Sequence, residues 1–293
     1  MKHAILILSS YGIDYLIGNI KQYQDYENVF DIFVHVDGQT FLEINEIRKN
    51  DGLTAIEYLY RETGMRNIKY VGHEYRSKRY SFELILSEMH LFRRAIEIGT
   101  YQAYHVTSES CFLYKDIDVF LDFYDRNPDI NLIGLQDLGD KNIYDESTGV
   151  KIPYKGPQWF SLSHKTLSRI IEARLFENIL CDWENKLIAV PQRIWGALDE
   201  MVLQSYIANL IFSDKDSENF WQARYVLWGD VGYSLRIGSP NTLVMEIFDS
   251  EIQLNEWELN NSFWCRKIDC KNESSLEFLD YLKKNYGKIK IER

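Results

Sequence analysis

The sequence predicts an α/β fold, a mixed, mostly parallel sheet flanked by helices, and three features lead there. Short apolar runs such as Ala4–Leu8 and Phe30–Val36 alternate with stretches whose apolar residues recur at helical spacing. The order is strand, helix, strand from the N-terminus to about position 135, and parallel neighbours need such crossovers. With 45% hydrophobic and 14% aromatic residues and 5 prolines among 293, the chain carries enough apolar surface for a large core.

The first strand is Ala4-Ile5-Leu6-Ile7-Leu8, closed by Ser9-Ser10-Tyr11-Gly12, after which Ile13, Leu16, Ile17 and Ile20 mark the inner face of a helix. Phe30 to Asp37 is β-branched and aromatic and stops at Gly38, a second strand. A helix around Leu53 to Arg61 leads to a third strand, Ile68–Val71. A long helix from Ser81 to about Ile98 then sets Leu84, Ile85, Met89, Phe92 and Ile96 on one face. Tyr101–Val106 reads as a strand, Asp116–Tyr124 as a helix and Asn131–Leu135 as a strand.

The pattern changes at residues 137–155, where Gly139, Asn142, Gly149 and Pro153 lie among charges. That stretch predicts a long loop or hairpin, and loops of such length are uncommon unless they serve function. Beyond it come a strand at Gln158–Leu162 and helices from about Lys165 to Leu180 and from Leu198 to Ile211. Short strands near Tyr225–Trp228 and Leu243–Met245 and a helix over Ser274–Tyr286 complete the chain. There is no internal repeat.

Composition narrows the function classes. Asp+Glu at 44 against Lys+Arg at 33 gives a net charge of -11, which argues against a general nucleic-acid binder. The four cysteines, Cys111, Cys181, Cys265 and Cys270, form no Cys-x-x-Cys pair, so neither a zinc cage nor a disulfide framework is indicated. The histidines lack metalloprotease spacing, and neither a nucleophile elbow nor a phosphate-binding Gly-rich loop with Lys is present. The opening apolar run is too short for a signal peptide or a membrane span, which predicts a soluble, cytoplasmic protein.

In open α/β sheets, ligands bind beyond the carboxyl ends of the strands. Those ends carry Ser9-Ser10-Tyr11, His35-Val36-Asp37 and Thr107-Ser108-Glu109-Ser110. They form either a nucleotide cleft, with Asp37 accepting from a base or ribose, or ordinary turns and caps. Asp116-Ile117-Asp118 matches the Asp-x-Asp spacing of metal–diphosphate sites. It also opens an amphipathic helix, where the dipole favours acids, and that reading is the stronger. Asp199-Glu200 starts another helix, where two adjacent acids complement the dipole, and the sequence by itself favours that reading over a general base. Phe263-Trp264-Cys265-Arg266-Lys267 is either a phosphate clamp or a solvated basic turn.

Several segments, taken in order, resemble the core-2/I-branching β-1,6-N-acetylglucosaminyltransferase family, which includes peptide O-xylosyltransferases and bacterial relatives. His3–Ile7 resembles its opening strand, Phe33–Asp37 its His-Val-Asp strand end, Ser77–Ile96 its long helix and Tyr104–Ser110 the strand into its Ser/Gly-rich loop. Gly156–Ser163 resembles the family's Gly-x-x-Trp-Phe-x-Leu segment. Ala197–Glu200 stands in place of its Pro-Asp-Glu, Arg224–Trp228 of its Arg-Tyr/Phe-x-x-Trp strand and Phe263–Asp269 of its Phe-Ala-Arg-Lys-Phe-Asp ending. The likeness spans about residues 3 to 269, and the order of the segments makes it specific.

The resemblance implies one GT-A-like domain over residues 1–293, with a nucleotide-sugar-binding half (1–135) and an acceptor-binding, catalytic half (136–293). It implies inverting, metal-independent transfer, of GlcNAc or a related sugar, from a UDP-sugar to a saccharide or glycolipid. Glu200 would be the base. Ser9, Asp37, Ser108, Arg236, Arg266 and Lys267 would bind the nucleotide sugar, and Trp159 and Trp228 the acceptor. The chain departs from the pattern at Cys111 (family Asp), Leu113 and Leu198 (family Pro), and around Asn241-Thr242, where Arg236 would replace the family's second cation. The absence of a membrane anchor fits a bacterial enzyme of polysaccharide biosynthesis, in the cytoplasm or at the inner membrane surface. For such peripheral contact the lysines near the end of the last helix, Lys283, Lys284, Lys288 and Lys290, are a candidate, although cations at a helix C-terminus also complement its dipole.

Overall fold

A computed structural model describes residues 1–77, 81–137, 143–144, 151–152, 154–156, 158–185, 188, 198–212, 220–221, 236–239, 242–244, 260, 262–266 and 268–291. Four parallel strands, β1 (His3–Ser9), β2 (Phe30–Val36), β3 (Ile68–Gly72) and β4 (Ala103–Ser108), form its centre in the order β4-β1-β2-β3. Leu6 stands opposite Phe33 on one side and Val106 on the other.

β1 is central because every residue in it is apolar enough, or well enough partnered, to be buried. Ala4, Leu6 and Leu8 face one core with Ile85, Met89 and Phe92 of α4 (Phe82–Ile98). Ile5 and Ile7 face the other, with Leu16 and Ile20 of α1 (Ile13–Lys21) and with Phe120 and Phe123 of the helix Ile117–Arg126. Each fully buried Leu or Ile contributes about 1.5–3 kcal/mol, so a strand apolar on both faces belongs inside a sheet covered on both faces.

The remaining strands are short: β5 (Cys111–Leu113), β6 (Asn131–Leu132), β7 (Gln136–Asp137), β8 (Ile143–Tyr144), β9 (Lys151–Ile152), β10 (Tyr154–Lys155), β11 (Ser161–Ser163), β12 (Phe220–Trp221), β13 (Arg236–Ser239), β14 (Thr242–Val244) and β15 (Trp264–Arg266). β11 runs antiparallel beside β4, and β6 and β12 complete a seven-stranded sheet. A second sheet, β13-β14-β15-β5, carries Cys111 and Arg266 as direct partners. Within the predicted 137–155 loop, β8 pairs with β9, and β7 with β10.

Three differences from expectation have physical causes. α2 (Gly38–Asp51) is a helix that periodicity misses, because only Thr40 and Ile44 of its residues are buried. It starts after Asp37, whose side chain caps it, and position 38 requires glycine, since φ is +50 there and a Cβ would lie 2.9 Å from the Ser10 carbonyl oxygen. The helix predicted from Lys165 to Leu180 is two, His164–Glu172 and Leu175–Glu184, broken where Arg174 takes φ 53. The strand expected over Asn131–Leu135 pairs only at its first two residues. Among the described residues, no helix is long and apolar enough to cross a membrane.

Candidate active site

The carboxyl ends of β1, β2 and β4 meet, and their polar groups are bonded chiefly to one another. The Ser9 and Thr40 hydroxyls share a hydrogen bond of 3.1 Å, and the amides of Ser10 and Tyr11 donate to Glu109 Oε1 at 2.7 and 2.8 Å. The next two amides donate to Thr40 and to Glu43. The start of α1, a place where an anion would be welcome, is therefore filled by the chain's own side chains. Burial raises the pKa of Glu109, against the pull of those two amides and of Arg266.

Asp37 caps α2 through Gly38, and its other oxygen accepts from the Ser77 amide and, at 2.6 Å, from the Ser77 hydroxyl. His35, held neutral by burial with its pKa near 4, accepts from the Tyr75 amide at 3.3 Å. The end of β2 thus clasps the segment after β3. Ser108 is buried, with its hydroxyl 3.0 Å from that of Ser110 and 3.3 Å from Cys111 Sγ.

A second group is assembled by the residues on either side of position 157. The Gly156 amide donates to the Glu200 carbonyl at 2.7 Å, and Lys155 Nζ lies 3.3 Å from Glu200 Oε2. Only glycine fits at 156, since a Cβ would stand 1.9 Å from the Gly134 carbonyl oxygen. Gln158 donates to Glu88 of α4 at 2.8 Å. Trp159, 5% exposed, takes the Arg266 guanidinium over its ring at 4.3 Å, a cation–π contact. Arg266 Nε has no hydrogen-bond partner among the described residues.

Glu200 ends a short turn, Leu198–Glu200, that leads into α8 (Val202–Phe212). Its side chain is 32% exposed, whereas neighbouring Asp199 is buried. Of the two acids that the sequence offered here, Glu200 is the one open to a ligand. Arg236 pairs with Val244, which pairs with Arg266, which pairs with Cys111, so the four share one row of the second sheet. Lys267 and Trp228 lie outside the described residues.

Arg266 and Trp159, singled out separately in the sequence, are brought into contact, and burial leaves Trp159 little surface on which a sugar could stack. Asp116 stands at the N-cap of the helix Ile117–Arg126, with Asp118 in its first turn. Its amide is bonded to Gly287, on the side where the C-terminal helix Glu273–Tyr286 ends. Among the described residues, no three His, Cys, Asp or Glu side chains group as metal ligands. Sequence reasoning missed Lys155, the anchoring of Glu109, and Glu88. The signal for Glu88 was present: an acid at the third position after Ile85 and the fourth before Phe92 lies within the apolar stripe of α4.

No family model and no curated protein sequence matches the chain. Among solved structures, it is similar to S. aureus TarS 1-349, at 13% identity over 70% of this chain and 55% of that one, with a TM-score of 0.34. It is also similar to the glycosyltransferase GlyE of Streptococcus pneumoniae, at 12% identity over 76% of this chain and 45% of that one, with a TM-score of 0.36. A third is the 4-diphosphocytidyl-2C-methyl-D-erythritol synthase of Anaerococcus prevotii, at 12% identity over 76% and 90% of the two chains, with a TM-score of 0.35. The chain spans about half the length of the first two. Overlaps this slight add nothing to what the strand order itself shows.

Proposed function

We propose that the chain is an inverting glycosyltransferase, moving GlcNAc or a related sugar from a UDP-sugar to a hydroxyl of a saccharide or glycolipid, with Glu200 as base and no metal. The observation that carries this reading is the pair of charged arms on one segment: Gly156 holds the Glu200 backbone carbonyl while Lys155 reaches its open carboxylate, and Trp159 seats the cation of Arg266. The family resemblance assigns Glu200 to the base and Lys267, together with Arg266, to the diphosphate clamp.

In the proposed reaction, Glu200 accepts the proton of the acceptor hydroxyl while its oxygen attacks the anomeric carbon from the face opposite the diphosphate. The carbon–oxygen bond to the diphosphate breaks and UDP leaves with the electron pair. Cations aimed at the developing charge stabilise that departure, and Arg266, whose Nε lacks a hydrogen-bond partner among the described residues, is the first of them in this reading. Arg236, in the same row of the second sheet, and Lys267 are the other cations in this reading. Asp37, Ser9 and Ser108 border the nucleotide side, Trp159 acts by seating Arg266, and Trp228 is assigned to the acceptor. A lipid-borne acceptor would bring the enzyme to a membrane surface.

The test is a thermal-shift panel of UDP, UDP-sugars, GDP and CMP, each with Mn²⁺ or EDTA. At about 100 times its dissociation constant, a bound ligand adds about 2.7 kcal/mol of stability. Stabilisation by UDP species that survives EDTA is the expected result. In the same enzyme, Glu200→Gln keeps that stabilisation and lowers turnover about 10²- to 10⁴-fold. Stabilisation only with Mn²⁺ would transfer the reading to a metal-dependent enzyme using Asp116 and Asp118. No response to any nucleotide would favour a catalytically lapsed sugar-binding module.

A further inference from the structure

α4 buries an acid in the middle of its apolar face. Glu88 is completely enclosed, and one of its oxygens accepts from Gln158 Nε2 at 2.8 Å while Oε2 has no hydrogen-bond partner among the described residues. Burial raises the pKa of this carboxyl well above the ordinary carboxylate value, and the charge of nearby Asp199 adds to the effect. As a stability device the arrangement is poor, since a leucine there would fill the space without desolvating a polar group.

What the acid does hold is the Gln158 amide, and Gln158 sits between both arms of the site. Two residues before it, the Gly156 amide is bonded to the Glu200 carbonyl; three before it, Lys155 reaches the Glu200 carboxylate; one after it, Trp159 carries Arg266. The turn is also fixed from the other side, where Gln204 Nε2 donates to the Asp199 carbonyl at 3.0 Å.

We propose that Glu88 is a positioning residue for Glu200: its buried carboxyl group ties α4 through Gln158 to the segment whose Lys155 and Gly156 hold the base, whereas Arg266 is placed by the pairing of its own strand, β15. This rests on Glu200 being the base. Glu88 touches no substrate, so its loss misplaces Glu200 within an otherwise folded site, and misplacement of a reacting group lowers kcat more than it lowers ligand affinity.

Glu88→Ala, Glu88→Gln and Gln158→Leu test this, with kcat, UDP affinity by calorimetry and hydrogen exchange of peptides covering 154–160 and 198–205. Glu88→Ala and Gln158→Leu are expected to lower kcat at least about tenfold with UDP affinity within about twofold, and to speed exchange in both peptides. Glu88→Gln, whose amide carbonyl still accepts from Gln158, is expected to recover both. Unchanged kcat and exchange in Glu88→Ala and Gln158→Leu, or UDP affinity falling in step with kcat, overturns the proposal. If Glu88→Ala does not fold, Gln158→Leu decides. Turnover retained by Glu200→Gln, measured alongside, removes the base and not the tether, because the exchange data report on the tether even where no transfer is seen.

Discussion

Two neighbouring groups of polar residues in this molecule use their side chains in opposite ways. At the carboxyl ends of the parallel strands, Ser9 is spent on Thr40, Asp37 on Gly38 and Ser77, and Glu109 on the Ser10 and Tyr11 amides. Along the segment around position 157, by contrast, Glu200 is a third exposed, and Arg266 Nε has no hydrogen-bond partner among the described residues. Polar residues at a strand end are therefore not binding capacity by themselves. What matters is what remains after the fold has used them, so substitutions in the first region should act on stability and those in the second on turnover.

The largest effect expected outside the charged segment is a pH dependence that arises at the opposite end of β1, where the strand begins. His3 Nδ1 and His105 Nε2 lie 3.1 Å apart, and His105 Nδ1 lies 2.8 Å from the Ser161 hydroxyl, all within an aromatic shell that includes Phe120 and Tyr124. Burial lowers His3 to about 3 and holds His105 well below its ordinary value. Unfolded, both take up protons near pH 6.5 while the folded chain does not. Stability is therefore fully present above pH 6.5 and is lost as pH falls from there toward 3. Glu88 and Glu109, whose pKa values are raised, act oppositely, because the folded chain binds their protons first. Urea titrations of the wild type and of His3→Gln between pH 7 and 4 separate the two: the variant is expected to show a slope smaller by about one proton. Equal slopes would mean that the imidazole is charged in the fold.

Next in size is Glu109→Ala. It strips the acceptor from two amides at the start of α1, and hydrogen bonds to a charged group contribute about 1.5–3 kcal/mol each. Solvent and the neighbouring Thr40 can replace part of that, so a loss of about 2–3 kcal/mol in urea unfolding is expected, with UDP affinity little changed. If affinity collapses while stability holds, Glu109 belongs to the ligand and the contrast between the two regions fails.

The same contrast explains what could be read in the sequence. β1 and β2 are legible because every residue in each is buried, which leaves runs dominated by β-branched, aromatic and other apolar side chains. α2 is not, because a helix lying on the surface with two buried residues has no stripe to detect. β5 and β15, three residues each, are too short for alternation to show, although together they bring Arg266 beside Cys111. The apolar pattern through Leu167, Ile170, Leu175 and Ile179 hides the break at Arg174, since both helices bury the same kind of residue. In the site, residue types were legible and partners were not. Nothing local announces that Glu109 reaches Ser10, 99 residues away, or that Trp159 meets Arg266.

The smallest expected effect separates the two readings of Asp116 and Asp118. Both stand at the start of the helix Ile117–Arg126, where a carboxylate gains about 0.3–1 kcal/mol from the helix dipole. Their surroundings are engaged structurally: the Asp116 amide donates to the Gly287 carbonyl, and Lys115 Nζ donates to the carbonyls of Tyr286 and Ile289. A divalent ion needs about six oxygen ligands, and two acids at one helix start supply few of them. Asp118→Asn should therefore lower stability by less than about 1 kcal/mol and leave transfer in EDTA untouched. The decisive comparison is with Glu200→Gln under the same conditions, because a metal site at Asp118 and a base at Glu200 exchange their outcomes. If Asp118→Asn abolishes transfer that Mn²⁺ supports in the wild type, these acids face the substrate and the charged segment around position 157 does not act alone.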